Sequence, residues 1–152
     1  MLNVIKNMTA KYYLGYKIIS KLSPGQDQFA LGPGRRLTSN SPDVGIGYVR
    51  GAGDAVEQLT SRTTGIILNA VTGHITLFSA AGSATAASFT VTNSSVADSD
   101  IVVINQNSGT DLYHLLITDV ADGSFQITFF TTGGTTTEQP VLNFAIIKGS
   151  DV

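Results

Sequence analysis

From Gly47 onward the apolar residues of this chain recur at every second position, and that period narrows the choice of fold more than any other feature. Ile75 and Leu77 fall on one side of a strand, with Thr76 and Phe78 on the other. Phe89 and Val91 alternate with Ser88, Thr90 and Thr92, and Phe125, Ile127 and Phe129 alternate with Gln126 and Thr128. Leu142, Phe144 and Ile146 lie opposite Asn143 and Ala145. Successive side chains leave a strand on opposite faces, so a period of two means a strand buried on one side. Tyr113, Leu115 and Ile117 share a face in LYHLLIT, 112–118. IVVI at 101–104 is continuously apolar, as a central strand covered on both faces would be.

Turn-forming clusters separate these runs: Thr72-Gly73, the Ala/Gly/Ser stretch 79–86, Asn93–Ser95, Asn107-Ser108-Gly109, Asp122-Gly123 and TTGGTTTEQP at 131–140. The pattern predicts about eight strands, over 54–60, 65–69, 73–78, 87–93, 100–105, 112–119, 124–130 and 141–147, with no helix among them. Short strands at this spacing predict an all-β fold, an antiparallel β-sandwich of jelly-roll type.

The pattern is absent upstream. Pro24, Pro33 and Pro42 fall close together beside LGPGRRLTSNSPD, and proline fixes φ and lacks a backbone donor. Residues 1–46 therefore read as an irregular N-terminal arm, extended or partly helical, that orders against a partner; residues 47–152 read as the sandwich body. Within the arm, AKYYLGYKIISKL sets Tyr12, Tyr16 and Ile19 at helical spacing, while its β-branched and aromatic content favours a strand.

Composition bears on function. Only 13% of residues are charged, about half the usual share, and Thr, Ser, Gly, Ala and Asn take their place. Such a surface suits contact with other protein. Cysteine is absent, which excludes disulfides and thiolate metal sites. The uncharged run from Thr63 to Ala97 alternates and is broken by Gly, Ser and Asn, so it does not read as a membrane span; MLNVIKNMTAKYY does not read as a secretory signal. Residues 1–62 hold eight Lys and Arg against four Asp and Glu, a balance of +4, whereas 63–152 hold one against seven, −6. A basic front end points to an acidic partner surface; scattered solvated charge is the plainer reading.

No motif carries chemistry. GAGDAV at 51–56 has Val56 where a dinucleotide loop needs its third glycine, and strand-like sequence follows where that loop needs a helix. Gly51 and Gly53 read instead as a turn at the entrance to the body. His74 and His114, the only histidines, lie in predicted strands without metal-ligand spacing. There is no G-x-S-x-G elbow, and Asp98/Asp100 and Asp119/Asp122 fall in predicted turns, where Asp caps its own backbone. No residue is singled out as catalytic, cofactor-binding or metal-binding. The Lys and Tyr interleaving of KNMTAKYYLGYKIISK could touch nucleic acid, but the chain is slightly acidic overall, and a protein partner is favoured.

Gly47-Tyr48, Gly51-Ala52-Gly53, Val56, Gln58, Thr60-Ser61, Thr64-Gly65, Asn69, Gly73 and Ile75-Thr76, followed by Asn143 to Gly149, form a series of turns and strands. The series resembles a small β-domain of tailed-bacteriophage virion proteins, over about residues 47–149. Asp54 stands where that domain has a small residue. The resemblance implies a structural protein without enzymatic activity or cofactor, in a capsid decoration (cement) or a fibre role. The expectation drawn from it is a decoration protein, made in the host cytoplasm and assembled as a homotrimer on the virion capsid surface. Its partners would be the major capsid protein and its own copies, with neither nucleic acid nor membrane involved. Lys11, Tyr12, Tyr13, Tyr16, Lys17, Ile18, Ile19, Arg35 and Arg36 of the arm are the expected coat-protein contacts. A tail-fibre or receptor-binding module that recognises a host glycan or protein is the alternative, read from loop tips around 107–113 or 131–139. A carbohydrate depolymerase is the third reading.

Overall fold

The computed structural model describes residues 47–150, together with the short strands β1 (Lys11–Tyr13) and β2 (Tyr16–Ile18). Residues 1–46 and 47–152 form separate compact units. In the first, β1 and β2 pair antiparallel, Tyr12 opposite Lys17, so the Tyr-rich segment takes the strand alternative rather than the helix. Ile19, Arg35 and Arg36 lie outside the described residues, as do the side chains of Lys11, Tyr12, Tyr13, Tyr16, Lys17 and Ile18.

The second unit is an all-β sandwich. Its strands are β3 (Gly53–Glu57), β4 (Ile66–Ile67), β5 (Thr72–Thr76), β6 (Ala80–Ala81), β7 (Ala87–Thr92), β8 (Ile101–Ser108), β9 (Tyr113–Ala121), β10 (Ser124–Thr131), β11 (Thr137–Glu138) and β12 (Val141–Ile147). The first sheet has the order β3-β5-β12-β8 and the second β4-β7-β10-β9; β6 and β11 make a separate short pair. β3 pairs with β5, and β4 with β7, in parallel, so both sheets are mixed rather than purely antiparallel. The connectivity explains this. β3 and β5 are joined through β4 on the opposite sheet, and a chain that crosses and returns enters its first sheet in the same direction.

The eight predicted strands are present, and β6 and β11 are additional. The alternating residues fill the space between the sheets: Ile75, Leu77, Phe89, Val91, Phe125, Ile127, Phe129, Leu142, Phe144 and Ile146 are all buried. Phe125 of the second sheet leans on Phe144 of the first, with centroids 5.3 Å apart, and Phe89 meets Phe129 edge-on at 6.0 Å. Among the described residues the buried hydrophobic cluster runs from Ile66 to Ile146.

IVVI departs from expectation. β8 is an edge strand rather than a central one, with Val102 turned inward while Ile101 and Val103 stay exposed. Asp119 likewise belongs to β9 rather than to a turn. A register shift at Gln126/Ile127 leaves Thr118 extra, so Thr118 and Asp119 both face outward.

Candidate functional site

The TSRTTG turn, 60–65, contains the most elaborate polar cluster among the described residues, and Arg62 is its centre. The guanidinium is buried, 9% exposed, and every one of its N–H groups has an acceptor. Nε donates to the Phe78 carbonyl at 3.0 Å; one terminal nitrogen donates to the Ala80 and Glu138 carbonyls at 2.5 and 2.8 Å. The other donates to the Ala81 carbonyl at 3.4 Å and to the Tyr113 hydroxyl at 3.0 Å. Its carbon also lies 5.6 Å from the Tyr113 ring centroid. One side chain thus ties the β5–β6 connection, β11 and β9 together.

The turn that presents Arg62 is itself held from within. Gln58, 1% exposed, donates to the Arg62 and Thr64 carbonyls at 3.3 and 2.8 Å and accepts from the Phe78 amide at 3.3 Å. Ser61 Oγ meets Thr64 Oγ1 at 2.8 Å.

The loop-tip acids belong to the same construction. Glu138 accepts from the Thr110 amide, from the Asp111 amide at 3.0 Å and from the Tyr113 hydroxyl at 3.2 Å. Burial pushes the Glu138 carboxyl up, but these donors outweigh it and hold the group below its ordinary range. Burial raises the Tyr113 hydroxyl; Arg62 opposes that shift and Glu138 adds to it. Asp111 accepts from the Thr136 amide at 3.0 Å and packs against Gly134, where an added Cβ would sit 2.3 Å from its carboxyl carbon. Beside Arg62 is a cavity of about 70 Å³, bordered by Ser83, Thr85, Tyr113, Phe129 and Thr131. It has room for water and not for a sugar ring.

At the start of β8, Asp100 pairs with Lys148 and accepts from the Ala97 and Gly149 amides at 2.9 and 2.8 Å. Burial raises the Asp100 carboxyl, and Lys148 with the two amides more than reverses it, leaving it below its ordinary value. Gly149 fits only as glycine: a Cβ there would sit 1.8 Å from the Ser99 carbonyl oxygen. Gly51 has φ of 90°, the left-handed turn expected where the chain enters the body.

His114 stacks on Phe130 at 4.6 Å, and its Nε2 meets Thr132 Oγ1 at 2.6 Å. His74 is exposed on β5, in register with Asn143 and Ala55. The two histidines sit on different sheets, and the described residues include no group of three or more His, Cys, Asp or Glu that could hold a metal. No described helix is long and apolar enough to cross a membrane.

Sequence reasoning missed the Arg62 cluster, counting Arg62 with a basic front end or with solvated charge. The available signal was its position: the only charge in a Thr/Ser turn between apolar strands. What remains without a partner inside the body is a surface. Ile101, Val103 and Ile147 are 60%, 49% and 55% exposed on the outer face of the first sheet, and the Oδ1 of Asn143 on that face is shielded from water without a hydrogen bond. Comparison with protein-family models, with curated proteins and with solved structures gives no match for this chain.

Proposed function

We propose that the chain is a structural, non-enzymatic virion protein: a capsid decoration (cement) protein whose sandwich body assembles with its copies, as a homotrimer, on the capsid surface. In this reading the arm reaches across neighbouring subunits of the major capsid protein. The observation that carries it is where the polar chemistry goes. Arg62, Glu138, Asp100 and Asp111 are all engaged within the body, while a face with exposed isoleucine and valine, on which Glu57 is the acid, is left for contact. A part built to resist detachment needs rigid loops and neutral contact area, and many weak contacts sum to large avidity on a repeating shell.

The arm supplies the second contact through Lys11, Tyr12, Tyr13, Tyr16, Lys17, Ile18, Ile19, Arg35 and Arg36, which bring basic and aromatic groups to the coat. Neither nucleic acid nor membrane enters this reading. A glycan-reading fibre module is less well supported, because the carboxylates at its loop tips, Asp111 and Glu138, are already bound to backbone amides.

The test is the copy number of the protein in purified virions, measured by quantitative mass spectrometry against the major coat protein. A number comparable to coat supports decoration. A handful of copies moves the protein to the tail, and absence from the particle ends the reading. Deleting residues 1–46 is expected to abolish shell binding while the body stays folded. Undiminished binding would refute the role given to the arm.

A further inference from the structure

The residues that lead into the body are tied to its last strand. β3 begins at Gly53, level with Thr72 of β5 and, one strand further, with Ala145 of β12. Just before it the chain reverses: the Ala52 amide donates to the Val49 carbonyl at 3.1 Å, and Gly51 supplies a φ of 90°. The reversal returns Tyr48 across β5, and its hydroxyl donates to the Ile146 carbonyl. That carbonyl lies where the β5–β12 pairing runs out. Thr72 with Ala145 is the last pair of the ladder, and the Ile146 amide donates beyond it to the Val71 carbonyl at 2.9 Å. The phenol therefore caps the end of the ladder.

The two strands joined in this way are held very differently. Among the described strands β3 pairs with β5 alone, at the edge of the sheet, and four of its five residues are exposed. Its ladder opens from the end one pairing at a time, so a pull on the preceding chain would peel it. β12 is flanked by β5 and β8 and sets Leu142, Phe144 and Ile146 into the core. We propose that Tyr48 is a latch: its hydroxyl fastens the entering chain to β12, so that motion or tension upstream of Gly47 is not passed to β3. The inference goes beyond the proposed function, because it holds whatever the upstream segment binds.

A neutral hydrogen bond of this kind shifts an opening equilibrium by roughly 3- to 10-fold. Ends of elements open at little cost, so such a factor governs how often the strap from Tyr48 to Gly53 is released. Arg50 makes that release readable, because it is exposed within the strap and trypsin needs the backbone around it freed. Arg62 is the internal reference: buried, with five acceptors on its guanidinium, it is cut only after the body unfolds. Cleavage tracks the population of the open form when closing is fast.

Limited trypsin digestion of the full chain under native conditions, with the fragment that begins at Gly51 followed by mass spectrometry, tests this. Tyr48→Phe keeps the ring and removes the donor. It is expected to speed cleavage after Arg50 by roughly 3- to 10-fold and to leave cleavage after Arg62 unchanged. Tyr48→Ala is expected to be cut after Arg50 at least as fast. A Tyr48→Phe chain cut at the wild-type rate overturns the inference; if Tyr48→Ala alone is faster, the ring and not the hydroxyl holds the strap. Equal acceleration at Arg50 and Arg62 also overturns it, because the bond would then serve the stability of the whole body rather than the strap.

Discussion

Replacing Arg62 with alanine removes a side chain that links the β5–β6 connection, β9 and β11, and its cost follows from the groups it abandons. The carbonyls of Phe78, Ala80, Ala81 and Glu138 and the hydroxyl of Tyr113 lose a charged donor together. Taken separately, hydrogen bonds to a charged group contribute about 1.5–3 kcal/mol each, but five on one guanidinium are not additive. Removing one member of a buried charged constellation costs about 3–5 kcal/mol, which sets the scale. Water entering the enlarged cavity beside Ser83 and Thr131 re-solvates some of the carbonyls, so about 3–4 kcal/mol is expected. For a cooperative unit of this size that lowers Tm by roughly 12–18 °C. Arg62→Lys separates charge from geometry: a lysine keeps the charge with three donors and no planar fork, and is expected to recover less than half of the loss. Thermal and urea unfolding of the three proteins measure this, with coincident fluorescence and circular-dichroism transitions establishing two-state behaviour. A loss below about 1 kcal/mol for the alanine variant would refute the claim that Arg62 organises this end of the sandwich. Full recovery by lysine would refute the role of the fork.

Other expectations follow from the same geometry. Asp100 and Glu138 lie below their ordinary 3.8 and 4.5, so each contributes stability that is present above the unfolded value and lost as pH falls through the folded one. The urea midpoint is therefore expected to be flat above about pH 5 and to fall below about pH 4, more shallowly in Asp100→Asn; an unchanged slope in that variant would contradict the assignment. Tyr113, raised above 10.0, acts in the opposite sense: its contribution is present below the unfolded value and lost as pH rises through the folded one, a loss that Tyr113→Phe should remove from an alkaline titration. Gly149→Ala drives a methyl into the Ser99 carbonyl and is expected to cost more than about 2 kcal/mol, whereas Gly51→Ala meets only its positive φ in open space and should cost about 1 kcal/mol. Equal melting temperatures for the two glycine variants would show that close approach does not govern the end of β12.

Most of the sandwich was legible because one physical rule, burial on one face, wrote a period of two into the chain. β7, β10 and β12 are read from Phe89 and Val91, from Phe125, Ile127 and Phe129, and from Leu142, Phe144 and Ile146 almost to the residue. Features set by pairing rather than by burial were not legible. β6 and β11 are two residues each, too short for any period, and exist because Ala80 and Ala81 meet Glu138 and Thr137. The parallel pairing of β3 with β5 depends on where β4 goes, which periodicity does not encode. IVVI misled for a related reason: a continuous apolar run reads as covered on both faces, yet Ile101 and Val103 face outward from an edge strand. Arg62 was legible as a charge but not as an interior one, because its acceptors are carbonyls contributed by distant connections and carry no side-chain signature.

IVVI and Arg62 misled in opposite directions, and together they define the surface. Arg62, Asp100 and Asp111 are drawn inward, and Glu138 is half-buried, each bound to backbone groups of connections that would otherwise be loosely held. A chain with few charges that places several of them inside has fewer left for its outer faces, while apolar residues that the core did not need remain on β8 and at the end of β12. For an isolated monomer both choices are costly, since surface charge keeps proteins apart and exposed Ile and Val draw them together. For the proposed decoration role they are consistent: rigid connections keep a contact face in one shape, and a face with few charges can be covered at small electrostatic cost. The proposed decoration role would make use of that arrangement of charge, because its fixed connections hold the same carboxylates and guanidinium that would otherwise need water.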